Sequence, residues 1–291
     1  MKIIDIHTHG IGGFDTITSS ENRILQIAEI QGGIGVSGII PTVYPSSVET
    51  MRENMLAIKR AMEVQKTGGK KQKAEAEIIG IHLEGPFLNP ARCGALHAGS
   101  FIKPNEKDFQ KIINGFEDAV KIITVAPELE GATKLIKTIT DTGIIASMGH
   151  SDATYSEAEA GFHAGAKGIT HIFNAMRGIH HREPGIAGFG LMNKDIYIEV
   201  IGDPFHLEPK IIEFIFSVKN PERIIIISDT VKNAKTESVS HGITNEENKL
   251  LGGAMTINES AERLIRMGLD EEIVLKAISE NPERYLQMGS T

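Results

Sequence analysis

A chain of 291 residues with a formal net charge of −8 is a poor electrostatic match for nucleic acid, whose phosphates require a basic face. Its single cysteine, Cys93, rules out an internal disulfide and a thiolate-rich zinc site and fits a reducing compartment. No apolar run reaches the length of a membrane span, and a strand carrying Asp5 and His7 stands where a signal peptide would have a basic start and a longer apolar run, so a soluble cytoplasmic protein is the expectation.

Short β-branched apolar runs recur over residues 2–9, 36–43, 77–87, 121–126, 143–150, 168–174, 197–202 and 223–229. Helix-like amphipathic segments separate them, for example 49–64, 106–116, 132–142, 156–164 and 207–218. Alternating strand and helix implies parallel pairing, and eight such units predict an α/β protein with a closed (β/α)8 TIM barrel, one domain over residues 1–291. An open doubly wound sheet competes, but it expects a Gly-rich phosphate turn after the first strand, and Gly10-Ile11-Gly12-Gly13 lacks the spacing. Beyond the eighth strand, 239–251 reads as a loop or hairpin, and Asn258 as the N-cap of a helix ending near Gly268. Asp270 caps the next helix in this reading, and Asn281-Pro282 marks its end. The glycine- and lysine-rich stretch 68–75 reads as an exposed loop.

Polar residues fall at the C-terminal ends of these strands. His7 and His9 end the first, Glu84 the third, His150 the fifth, His171 the sixth and Asp229 the eighth. A barrel gathers those ends at one mouth, where its active sites are built. Positions i and i+2 of a strand share a face, so His7 and His9 can reach one cation. A lone histidine at a strand end is ordinarily a hydrogen-bonded or solvated residue, but imidazoles and carboxylates converging from five strands predict a metal site. That donor set suits one or two divalent ions, zinc or iron, with manganese and cobalt as alternatives. His82 lies one step deeper than Glu84 on the same strand face and reads as a supporting or packed core residue. His163 and His241 read as surface positions without a role.

Several segments stand in a telling order: Asp5-Ile6-His7-Thr8-His9-Gly10, His82-Leu83-Glu84-Gly85-Pro86-Phe87, Gly94-Ala95-Leu96-His97, Gly149-His150-Ser151-Asp152-Ala153 and Thr170-His171-Ile172-Phe173-Asn174-Ala175-Met176. Arg182-Glu183-Pro184-Gly185, His206 and Ser228-Asp229-Thr230 complete the set. Together they resemble the N-acetylglucosamine-6-phosphate deacetylase family of the amidohydrolase superfamily. The resemblance implies a barrel of the metal-dependent hydrolase type that removes acetate from an amino-sugar phosphate. It implies that Glu84, His150 and His171 hold the main metal, and that His7 and His9 help bind a second ion with Glu84 bridging. Asp229 is similar to the catalytic acid/base, and His97 to the residue that polarises the acetamide carbonyl. Arg182 is similar to the phosphate ligand, aided by His206 and the main chain of Asn174 and Ala175. The family also implies a homodimer.

Three features depart from that pattern. The fourth strand has Lys121 at its start and no lysine near its C-terminal end, which argues against the carbamylated-lysine bridge used elsewhere in the superfamily. The first strand follows Met1 directly and the sequence stops at Thr291, so the expectation is a barrel without the small β-sandwich that accompanies it in the family. Thr230 follows Asp229 where a smaller residue is usual. Two alternatives stay open: an amidohydrolase for another N-acyl sugar, N-acyl amino acid or cyclic amide, and a non-catalytic sugar-phosphate-binding barrel.

Overall fold

The structure is a computed structural model that describes residues 1–68, 75–236 and 242–289. His241, most of the expected 68–75 loop and the start of the expected 239–251 hairpin lie outside the described residues.

Eight parallel strands lie side by side in sequence order: β1 (Ile4–Thr8), β2 (Gly38–Val43), β3 (Ile81–Leu83), β4 (Val120–Val125), β5 (Ile145–Met148), β6 (Gly168–Ile169), β7 (Tyr197–Ile201) and β8 (Ile224–Ile227). Helices cross between them, including Glu21–Gly33, Val48–Thr67, Ala132–Asp141, Gly185–Met192 and Pro209–Val218. This is the expected (β/α)8 barrel. Strands buried on both faces are continuously apolar, and β8 is four buried isoleucines in a row.

Two of the expected runs are broken or cut short by the backbone. The 77–87 run divides into Glu77–Ile78 and β3, both paired with β2. Gly80 sits at the break, where a Cβ would lie 2.4 Å from Lys121 Cγ and 2.7 Å from the Ala119 carbonyl oxygen. In the 168–174 run only the first two residues pair as a strand. The chain then turns through left-handed φ values at His171, Phe173 and Ala175, which cannot continue a ladder.

Helix starts follow capping chemistry. Thr154 with Glu157, and Thr256 with Glu259, form reciprocal capping boxes. Thr256 is therefore the N-cap of Ile257–Arg266, not Asn258, whose amide instead donates to the Ile34 carbonyl. Asp270 caps Glu271–Ala277 as expected. Asn281-Pro282 does not end a helix; it lies in the first turn of Glu280–Gln287, where the missing proline N–H has no intrahelical partner to lose. Part of the expected late hairpin is present as Ile243–Thr244 paired antiparallel with Leu250–Gly252.

Below the mouth, a polar belt crosses the strands. His82 Nε2 is 2.8 Å from Thr124 Oγ1, which is 3.0 Å from Thr170 Oγ1, itself 2.8 Å from Ser147 Oγ. Beneath it pack Ile40, Ile122, Ile145, Ile225 and Tyr285. The ring closes between β8 and β1 at its C-terminal end: the Asp229 N–H donates to the His7 carbonyl at 2.9 Å, and the His9 N–H to the Thr230 carbonyl at 2.7 Å. The Asp5 carboxylate supports this seam by accepting from the Ser228 N–H at 3.2 Å. Among the described residues no helix is long and apolar enough to cross a membrane.

Candidate metal centre and active site

The seam and the strand ends bring all six expected ligands together. His150 Nε2 and His171 Nε2 lie 3.0 and 2.9 Å from Glu84 Oε1 and 3.1 Å from each other. Opposite them, His7 Nε2 and His9 Nε2 lie 3.4 and 3.6 Å from Asp229 Oδ1. Glu84 stands between the two groups, with Oε1 3.7 Å from His7 Nε2 and Oε2 3.2 Å from His9 Nε2. All six are buried.

These donors fit a divalent cation. Bonds of roughly 2.0–2.1 Å in a tetrahedral site put ligand atoms about 3.3 Å apart, close to the spacing of the Glu84, His150 and His171 atoms. The His150 Nδ1 faces the Arg92 carbonyl at 3.0 Å; a carbonyl only accepts, so Nδ1 carries the proton and the Nε2 lone pair is left for a metal. His7 Nδ1 is likewise engaged by Glu199 Oε2 at 3.1 Å, and its buried Nε2 has no hydrogen-bond partner. Zinc, iron, manganese and cobalt all accept this nitrogen and oxygen set.

Electrostatics points the same way. Burial pushes the Asp229 carboxyl well above the ordinary range, and the Glu84 charge adds to the effect. Burial also lifts Glu199 to about 8 and Asp5 to about 6, and it pushes His7 and His82 down. Glu84, by contrast, is held well below its ordinary range: burial opposes ionisation, but the His150 charge and hydrogen bonds from the histidines outweigh it. Four carboxylates this deep are costly unless something positive balances them.

The ligand positions carry backbone strain. His150, His171 and Asp229 have φ of 46°, 30° and 49°, a region that residues other than glycine rarely adopt and that persists only where the surroundings enforce it.

A cavity of about 570 Å³ opens above the centre and is lined by His9, Glu84, His150, His171 and Asp229. Of the expected substrate contacts, Asn174, Ala175 and His206 also line it. His206 Nδ1 lies 2.9 Å from the buried Asp203 carboxylate, leaving Nε2 for a ligand. His97 and Arg182 are exposed and stand apart from the cavity lining. Leu96 takes the wall position beside His97, which precedes the short turn Ala98–Ser100. In Arg182-Glu183-Pro184-Gly185 the inward anchor is Glu183, whose carboxylate accepts from the Tyr155 and Gly185 N–H groups at 2.7 and 3.0 Å. Gly185, at φ +62°, stands where a Cβ would lie 2.9 Å from the Gly178 carbonyl oxygen, and the Arg182 side chain at this turn is exposed.

His82 is fully buried beneath the centre, its ring 4.6 Å from that of His7. His163 is exposed. The Thr230 hydroxyl bonds the Thr8 and Ser228 hydroxyls at 2.8 and 3.0 Å, so it ties the seam.

Sequence reasoning missed Tyr44, which stacks on His9 with ring centroids 3.8 Å apart, and the Asn248–Gly252 arm of the hairpin, which forms one cavity wall. It also missed Glu199 and Asp5. Glu199 had a signal: a carboxylate inside Tyr197-Ile198-Glu199-Val200-Ile201, a strand buried on both faces.

No family model matches the chain. The N-acetylgalactosamine-6-phosphate deacetylase of Escherichia coli O157:H7 is 30% identical over 252 residues, 87% of this chain and 65% of that protein. The N-acetylglucosamine-6-phosphate deacetylase of Bos taurus is 30% identical over 310 residues, 97% of this chain and 73% of that one. Among solved structures, an aspartate-to-alanine mutant of N-acetyl-D-glucosamine-6-phosphate deacetylase from Mycobacterium smegmatis, in complex with N-acetyl-D-glucosamine-6-phosphate, matches with a TM-score of 0.88 and 26% identity, over 98% of this chain and 77% of that one. The chain spans 51–65% of the length of the first curated relatives it matches. By the extent of the Bos taurus match, and with a barrel in the same arrangement, the chain belongs to the N-acetylglucosamine-6-phosphate deacetylase family.

Proposed function

We propose that this chain is a metal-dependent hydrolase that cleaves the acetamide of N-acetylglucosamine 6-phosphate, giving glucosamine 6-phosphate and acetate. The observation that carries the reading is the meeting of Glu84, His150 and His171 with His7, His9 and Asp229 beneath one cavity. In this reading Glu84, His150 and His171 would hold the main cation, and His7 and His9, with Glu84, would help to hold a second. When bound, a divalent cation supplies Lewis-acid polarisation of the carbonyl and a more acidic attacking water.

The chain's own residues do the rest. Asp229, which an adjacent cation's charge would keep ionised against the effect of burial, takes the proton of the attacking water on Oδ1 or Oδ2 and returns it to the departing amine. Tyr44 and the ring of His9 form a flat wall, and Leu96 and the Leu250-Leu251 arm narrow the opening, so the acetamide is held away from bulk water. His206, braced by Asp203, and the main chain of Asn174 and Ala175 receive the phosphate end. The phosphate-ligand role of Arg182 and the carbonyl-donor role of His97 rest on the resemblance alone, since both side chains are exposed outside the cavity lining.

The same reading takes residues 1–291 as one catalytic domain working as a cytoplasmic homodimer, with zinc or iron in the site. A second reading, the galactosamine epimer as substrate, is favoured by the name of the Escherichia coli O157:H7 relative.

The test is acetate release by metal-analysed protein on both epimers, with and without the 6-phosphate. Asp229→Asn should lower turnover by about 10²–10⁴-fold. Arg182→Ala should weaken only the phosphorylated substrates; an equal loss on both removes its phosphate role. Tight sugar-phosphate binding at full metal occupancy without acetate release overturns the hydrolase reading.

A further inference from the structure

We propose that Asp152 is a positioning residue whose ion pairs with Arg92 and Arg177 clamp three mouth loops and hold the Arg92 carbonyl on Nδ1 of His150. The inference rests on the reading of Glu84, His150 and His171 as a metal site.

Asp152 follows β5, two residues beyond His150. Its Oδ1 accepts from Arg92 Nε at 2.8 Å and Nη2 at 2.6 Å, while Arg177 Nη2 donates to Oδ2 at 2.7 Å. Arg92 belongs to the loop after β3 and immediately precedes the cavity wall at Cys93–Leu96. Arg177 belongs to the loop after β6, just past Asn174 and Ala175. One carboxylate thus joins two loops that carry cavity walls to the loop that carries a candidate ligand. Planar guanidinium forks on a carboxylate fix direction as well as distance.

The joined loops need such an anchor. Pro90–Arg92 is a single 3-10 turn, and its Arg92 carbonyl is the group that sets the His150 tautomer. His150 itself sits at φ 46°, so its ring direction is not inherited from strand geometry. Glu128 backs the arrangement from the loop after β4, accepting from Asn89 Nδ2 at 2.8 Å, Ser151 Oγ at 2.6 Å and the Asp152 N–H at 2.6 Å.

Stability alone does not account for the clamp. Asp152 is 31% exposed in its side chain, and the arginines 38% and 33%, and pairs this open add little to folding. What the clamp adds is direction: it sets where the Arg92 carbonyl lies, and so which nitrogen of His150 meets the metal. Outer partners of metal-bound histidines have this role generally, and losing one typically costs about 10–100-fold in metal affinity.

The experiment competes zinc from the full chain with a chromophoric chelator and records thermal melts of the zinc-free proteins alongside. Asp152→Asn and Arg92→Gln should each weaken zinc by about 10–100-fold, with the zinc-free melting temperature moved by less than about 2 °C. The double variant should be no weaker than the worse single one, because both act through one carbonyl. Arg177→Gln should lose less, since the Arg92 fork survives. Zinc held equally by wild type and variants overturns the clamp and leaves the metal reading standing, as does an additive double variant or a zinc loss matched by lost zinc-free stability. A wild type that holds no zinc overturns both. If Asp152→Asn fails to fold, Arg92→Gln decides the matter by the same readings.

Discussion

Glu84→Gln is the sharpest perturbation of this centre, because one carboxylate serves both ligand groups. The amide keeps the shape and removes the charge. Unfolding entropy of roughly 2.1 cal/mol/K per residue over 291 residues makes 1 kcal/mol worth about 1.6 °C. Zinc at a thousand times its dissociation constant stabilises wild type by about 4 kcal/mol, an upward shift of about 7 °C. A thousandfold weaker site retains less than about 1 °C of that shift. In chelator a second difference should appear. Without the metal, Nε2 of His150 and of His171 can carry a proton, and the bonds they then donate to Glu84 Oε1, at 3.0 and 2.9 Å, lose their charge assistance in the variant, roughly 1 kcal/mol each, so the zinc-free variant should melt about 3 °C below zinc-free wild type. Differential scanning fluorimetry at pH 7, with zinc and with chelator, measures both numbers. A Glu84→Gln protein that keeps the full zinc shift would show that the cation does not sit where these six side chains meet.

Two further predictions concern the scaffold. Gly168→Ala should destabilise by about 1–3 kcal/mol in urea, because its Cβ would lie 2.1 Å from Tyr285 Oη; Tyr285→Phe in the same chain should recover part of the loss, and strict additivity would mean the clash is not the cause. Lys219, buried with its ammonium on the Gly190 and Asn193 carbonyls, is lowered by burial to about 7 from an ordinary 10.5. Between those values the unfolded chain binds a proton that the folded one lacks, so the contribution of Lys219 rises with pH across that window. The stability of wild type relative to Lys219→Met should therefore be greater at pH 9 than at pH 6, and a constant difference refutes it.

The fold was readable because parallel strands buried on both faces leave apolar runs such as Ile224–Ile227, and because the candidate ligands stand where those runs stop. Where each strand ends was less readable. The turn at His171 depends on a φ that only the folded surroundings enforce. Loop side chains were least readable: the Gly94-Ala95-Leu96-His97 segment does not reveal that Leu96 takes the wall and His97 faces outward, since tertiary anchors such as Glu183 decide which way a loop residue turns. Some misses had local signals. Thr256 and Glu259 already had capping-box spacing, and the charge of Glu199 was anomalous in its strand.

The joint between β8 and β1 has a consequence for how the protein is made. Thr8 and Thr230, whose hydroxyls meet there, are 222 positions apart. Asp229 follows His7 by 222 positions, so the two groups cannot meet until that whole stretch has been synthesised. Bringing such distant segments together has a large loop-closure cost, and closing this ring also seats Asp229 against His7. Chains released before that point would carry His7, His9, Glu84, His150 and His171 but not Asp229 or the seam that seats it against His7.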